Sequence, residues 1–240
     1  MPYERLDADA VLATAQRLQA RIGARFPERN LTKVAERLVA IASDVERAAA
    51  RSRPVRLLRV AALVLIGILI LITLVSLVAV VFELITKSGS ALDWLSAVNT
   101  LIGDAVYVGL AVIFLWVLPS HLERRRILGE LHSLRSLAHV IDMHQLTKDP
   151  ERFADAFRPT AQTVEVGLSP IAMASYLDYC SELLALVAKT AAVYAERSTD
   201  PAVLATISDI ENLTNGMARK IWQKLGLVPG VGARPAPSAE

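Results

Sequence analysis

Residues 60–82 form an unbroken run of 23 uncharged side chains, VAALVLIGILILITLVSLVAVVF. No other segment constrains the fold as tightly. Coiled as a helix, the run rises about 34 Å, enough to cross a hydrocarbon core of about 30 Å. A surface helix of a water-soluble domain keeps one polar face, and this run has none. Its hydroxyls, Thr73 and Ser76, share one side and can bond back to their own helix.

The charged residues are placed around this run rather than through it. The chain is 53% hydrophobic with a mean hydropathy of +0.40, yet it carries 26 basic and 24 acidic side chains. Only four of these, Glu83, Lys87, Asp93 and Asp104, fall within residues 60–119. Such segregation excludes a soluble secreted domain, a fibrous array and a disordered chain. It predicts a membrane protein with polar arms.

A second span is expected over residues 96–119. Its apolar core, residues 105–119 (AVYVGLAVIFLWVLP), is only 15 residues long, so the span must extend N-terminally and take in Asp104. Ala105 and Gly109 make a small-xxx-small pair suited to close helix packing. Trp94 and Trp116 sit near opposite ends, where interfacial aromatics belong. Arg51, Arg53, Arg56 and Arg59 precede the first span, and Arg124, Arg125 and Arg126 follow the second. The connecting loop, about residues 83–95, carries one lysine against two acids. The positive-inside rule then places both termini in the cytoplasm. The same seven arginines are expected to attract anionic lipid of the cytoplasmic leaflet.

The arms read as helix. In the N-terminal arm, Val11, Ala15, Leu18 and Ile22 form one stripe. After a break at Gly23 and Pro27, Leu31, Val34, Leu38, Ile41, Val45 and Ala48 form another, with Asn30 at the N-cap position. Beyond the second span, Ile127, Leu131, Leu134, Ala138 and Ile141 make an apolar seam. Three later helix starts pair a capping residue with proline: Asp149-Pro150, Ser169-Pro170 and Asp200-Pro201. The first is expected to open a short helix with Phe153 and Phe157 on one side. The second leads a stripe of Met173, Leu177, Cys180, Leu184, Val187, Ala191 and Tyr194. The third leads Val203, Ile207, Ile210, Thr214, Met217 and Ile221. Residues 160–168 are the one strand-like stretch, more readily an extended connector. The stripes are narrow, as in a bundle or coiled-coil contact.

The expected fold is therefore all-α: a two-transmembrane-helix hairpin with a cytoplasmic helical bundle. Residues 1–53 would form an N-terminal cytoplasmic helical hairpin and residues 54–119 the transmembrane hairpin. Residues 120–228 would form a C-terminal cytoplasmic helical region, and residues 229–240, rich in Pro, Gly and Ala, a disordered tail.

Candidate chemistry is sparse. Asp104 lies within a span, where a carboxylate is costly and marks a pathway, a relay or an interhelical contact. With Asn99 and Thr100 one turn away, it could ring a pore mouth. Alternatively, the span starts at Gly103 and Asp104 lies among the headgroups. All four histidines, His121, His132, His139 and His144, fall between residues 121 and 144. His132 and His139 are about 10.5 Å apart along a helix, too far to share a metal unaided. His132, Arg135, His139 and Asp142 share one side of that helix and suit pH sensing or partner binding. Cys180, the single cysteine, excludes an intrachain disulfide or a CxxC site. No GxGxxG, Walker loop, HExxH or GxSxG is present, so no enzyme is expected, and neither is a cofactor or a metal. The loop holds neither a GMN triplet nor a WDxxEP motif, so no family resemblance follows.

The function expected from this pattern is a non-enzymatic scaffold or regulatory subunit in a bacterial plasma membrane. It would present a self-associating helical interaction module. Its partners would be anionic lipids, further copies of itself and a cytoplasmic protein, and not nucleic acid. The alternative is a homo-oligomeric ion channel or transport subunit with the second span lining a pore.

Overall fold

A computed structural model describes residues 5–50, 53–86 and 91–229. Helix makes up 83% of the structure, and no strand occurs among the described residues. Among the described residues the helices are α1 (Ala8–Arg25), α2 (Asn30–Ala50), α3 (Arg53–Thr86), α4 (Ala91–Leu146), α5 (Pro170–Ala195) and α6 (Pro201–Leu225), with a 3-10 turn at Pro150–Phe153. The tail assigned to disorder, residues 229–240, lies outside the described residues beyond its first position.

The chain divides into two compact units, and α4 contributes to both. One unit comprises Met1–Ala50 with Arg126–Glu240, and the other Arg51–Arg125.

The first unit is a bundle organised on α5. Its helices start where local chemistry tells them to. The Ser169 side chain accepts from the amide of Ala172, and Asp200 accepts from those of Ala202 and Val203. Each is followed by proline at the first helical position, where no donor is missed. Asp7 caps α1 in the same way, accepting from Asp9. The apolar stripes then turn inward. Val11, Ala15, Leu18 and Ile22 of α1, Leu31 and Leu38 of α2, and Leu131, Leu134, Ala138 and Ile141 of α4 join α5 and α6 in one continuous core.

The α5 helix departs from the narrow-stripe expectation. Thirteen of its 26 residues are buried. Tyr176, Tyr179, Leu183, Leu186, Thr190 and Val193 go inside beside the seven stripe residues. It is a central helix covered on several sides, not one side of a coiled coil. Phe26, at the elbow between α1 and α2, packs edge-on against Tyr176 and Tyr179 at ring separations of 5.4 and 6.1 Å. Arg21 of α1 grips Glu182 of α5 with two hydrogen bonds of 2.8 and 3.1 Å.

One smaller expectation is corrected and another is met. Asp149-Pro150 opens only a 3-10 turn that ends at Phe153, so Phe157 lies beyond it. Residues 160–168 form no strand; they run as turn and extended connector, with Gly167 at φ 58. Arg29 of the N-terminal arm ties this connector down by donating to the carbonyls of Val166 and Gly167 at 2.9 and 3.3 Å.

The second unit holds α3 and the first part of α4. Its apolar side chains face outward, with Leu71, Phe82, Ile113 and Trp116 all 60% exposed or more. Pro119 sits inside α4 without ending it. Among the described residues, three stretches are long and apolar enough to cross a membrane: Arg59–Glu83, Trp94–Phe153 and Pro170–Ala195. They differ in how much protein already covers them. The most apolar window is 6% buried in the first, 0% in the second and 56% in the third.

If α5 is the core of the bundle, truncating it must cost more than truncating α3. Leu184→Ala removes a fully buried side chain and is expected to cost about 2–5 kcal/mol of bundle stability. Leu71→Ala, on the exposed face of α3, is expected to cost less than about 0.5 kcal/mol. Thermal unfolding of the full chain in detergent, followed by circular dichroism, checks both. Equal losses would remove α5 from its central role.

Candidate functional site

Three groups of side chains are candidates, and the structure keeps them apart in character. The first is in α4 of the outward-apolar unit. Asp104, Asn99 and Thr100 are all exposed. The Thr100 hydroxyl donates to the carbonyl of Ser96 at 3.0 Å, so its proton is already used. Thr73 of α3 does the same toward Leu69 at 2.8 Å. Asp104 has no ion pair or side-chain hydrogen bond among the described residues. A Cβ added at Gly103 or Gly109 would meet nothing within 4 Å, so the notch at Ala105 and Gly109 is left open by the described part of the chain.

The second group is the arginines. Arg51 lies outside the described residues, and Arg53 and Arg56 fall in the opening turns of α3. Arg59 reaches Glu123 of α4 at 3.8 Å, with both side chains well exposed. Exposed pairs of this kind contribute little to stability. Arg125 is exposed. Arg126 belongs to the bundle and bonds Glu130 at 3.0 Å, one turn along α4. Beside Arg59, α3 and α4 enclose a groove of about 520 Å³.

The third group is the polar side of α4 in the bundle. His132 and His139 are exposed. Arg135, between them, is drawn across to Asp209 of α6 at 3.2 Å. Asp142 accepts from the Gln145 side chain at 2.8 Å. No set of three His, Cys, Asp or Glu side chains among the described residues is placed to hold a metal.

Other polar contacts could not be found by spacing, because their partners are distant in sequence. The Tyr194 hydroxyl donates to Glu130, 64 residues away. Burial, reinforced by that carboxylate, raises the phenol well above its ordinary range. Lys148 lies over the Tyr176 ring at 5.2 Å. Burial and the nearby charges of Arg29 and Arg152 lower its pKa. Cys180 is buried, and its thiol is pushed up to about 12 by desolvation. It is a core residue, not a nucleophile. Burial, with Lys148 one turn on, lowers His144 below the ordinary 6.5.

With the geometry in hand, comparison adds no relative: no family model, no curated protein and no solved structure matches this chain.

The His144 shift has a sign that can be checked. A histidine with a depressed folded pKa binds fewer protons folded than unfolded. Its contribution therefore favours the unfolded chain as pH falls through about 6.5, until the folded form also protonates. His144→Asn is expected to flatten this part of the acid limb. Unfolding midpoints measured between neutral and mildly acidic pH test it. A limb of unchanged slope would mean that other groups carry the pH dependence.

Proposed function

We propose that the chain is a non-enzymatic membrane anchor presenting a helical interaction module. In this reading α3 and the first part of α4 cross a bacterial plasma membrane as a hairpin. The bundle lies on the cytoplasmic side and associates with further copies and with a cytoplasmic protein.

One observation carries the topology. The arm before the spans and the arm after them belong to the same compact unit and share one core. Segments that pack together lie on the same side of a membrane, so the chain between residues 50 and 126 must cross it an even number of times. Two crossings, by α3 and by α4, meet that condition. A third crossing by α5 would tear the central helix out of the core it shares with Leu18, Leu38 and Leu134. The apolarity of α5 is accounted for by protein contacts, whereas that of α3 and α4 is not. The arginines flanking the spans then select the cytoplasmic side. Self-association is supported by the open notch at Ala105 and Gly109 of α4, which admits a close helix neighbour.

Labelling with a membrane-impermeant maleimide tests this cleanly, because the single native thiol is buried and protonated. In right-side-out vesicles, Thr86→Cys should react at once. Ala13→Cys and Thr199→Cys should react only after permeabilisation. Labelling of Ala13→Cys and Thr199→Cys from opposite sides would end the hairpin reading.

A second reading, a homo-oligomeric ion channel, is favoured by Asp104, a carboxylate in an apolar segment with no partner among the described residues. In that case purified protein passes a cation-selective current in planar bilayers, and Asp104→Asn lowers the selectivity. Electrically silent protein would leave the anchored module as the sole reading.

A further inference from the structure

The groove beside Arg59, in the outward-apolar unit, combines an apolar floor with a fixed charge. Its walls are Ala62 and Ile66 of α3 with Leu115 and Trp116 of α4, and Arg59 and Ser120 stand at one end. Ile66 is 9% exposed, in contrast to its outward-facing neighbours on α3. The groove measures about 520 Å³, comparable to the volume of one lipid acyl chain. Pro119, also on the wall, has no amide proton, so the carbonyl of Leu115 loses its helical donor and the same end gains polarity. Arg59 is held only loosely by Glu123 at 3.8 Å, and its side chain is 63% exposed. A guanidinium in that condition keeps most of its five donors for a phosphate.

We infer that this groove is a binding site for an anionic phospholipid of the cytoplasmic leaflet, its phosphate on Arg59 and one acyl chain along Ala62, Ile66 and Leu115. The inference rests on the hairpin reading, which puts the Arg59 end of the groove at the cytoplasmic headgroup level. Three features select the occupant. The floor is apolar, formed by Ala62, Ile66 and Leu115, so within a bilayer a lipid chain fills it rather than water. The charge at its polar end is positive, and basic pockets between spanning helices on the cytoplasmic side hold anionic headgroups. The exposed Trp116 ring lies where aromatic side chains mark the membrane interface. This is a defined site for one lipid, distinct from diffuse attraction by the flanking arginines.

Native mass spectrometry of the full chain, released from nanodiscs of equal parts phosphatidylcholine and phosphatidylglycerol, tests it. Wild type is expected to retain one phosphatidylglycerol per chain in preference to phosphatidylcholine. Arg59→Gln should reduce that preference roughly five- to tenfold. Glu123→Gln, which frees the guanidinium, should increase it. Ala62→Trp keeps every arginine but fills the floor, and should lose the retained lipid. Equal retention of the two lipids by wild type would overturn the site. So would an Ala62→Trp chain that keeps its phosphatidylglycerol, because the arginines alone would then suffice. If the hairpin reading itself fails, Ala13→Cys and Thr199→Cys are labelled from opposite sides of the membrane, whichever lipid is retained. That pattern differs from a hairpin that stays in the membrane but does not discriminate between lipids.

Discussion

Burial of α5 is the contact on which the rest depends. It is an apolar helix whose covering comes from both ends of the chain. Tyr176 and Tyr179 meet Phe26 from the N-terminal arm, and Tyr194 meets Glu130 from α4. Without that covering, α5 would be a third stretch apolar enough for a membrane. With it, protein covers 56% of its most apolar window, against 6% in α3 and none in the first part of α4. The same sequence property, apolarity over a long helix, thus has two fates, decided by whether protein or lipid satisfies it.

Polar contacts then fix how the arms close on α5. Lys224 of α6 donates to the carbonyls of Gln145 and Lys148 at 3.1 and 3.5 Å. The first of these is an end carbonyl of α4 that already accepts from the amide of Lys148 at 3.0 Å, and a cation there also suits the helix dipole. Arg21 makes a two-point grip on Glu182 and lies 5.2 Å from the Tyr179 ring. The Arg21–Glu182 pair is exposed and individually modest, whereas the Lys224 contacts are part-buried. Their value is in register: they fix which turn of α1 and of α6 faces the core helix.

Much of this architecture is legible in the residues, for physical reasons. Ser169-Pro170 and Asp200-Pro201 mark helix starts because a capping oxygen and a missing amide proton both favour the first turn. The stripes of α1, α2 and α6 are readable because polar residues surround them. The full buried surface of α5 is not readable, since Leu183, Leu186 and Val193 lie off the chosen stripe and nothing local says that they too are covered. Among the candidate sites, the same division holds. Asp104 and the arginine flanks stand out by charge against an apolar background. The Arg59 groove needs Leu115 brought beside Ile66, and the Tyr194–Glu130 contact spans 64 residues. Neither leaves a trace in local spacing.

The proposed topology also bears on how the bundle can form at all. Arg21 and Glu182 are 161 residues apart. Joining such distant segments of a free chain carries a loop-closure cost that grows with the logarithm of the loop. A hairpin inserted in the membrane shortens that loop in effect. On the proposed topology it would bring the end of α2 and the start of the bundle portion of α4 to one side of the membrane. The spans would thus serve as the connector that makes a long-range core accessible.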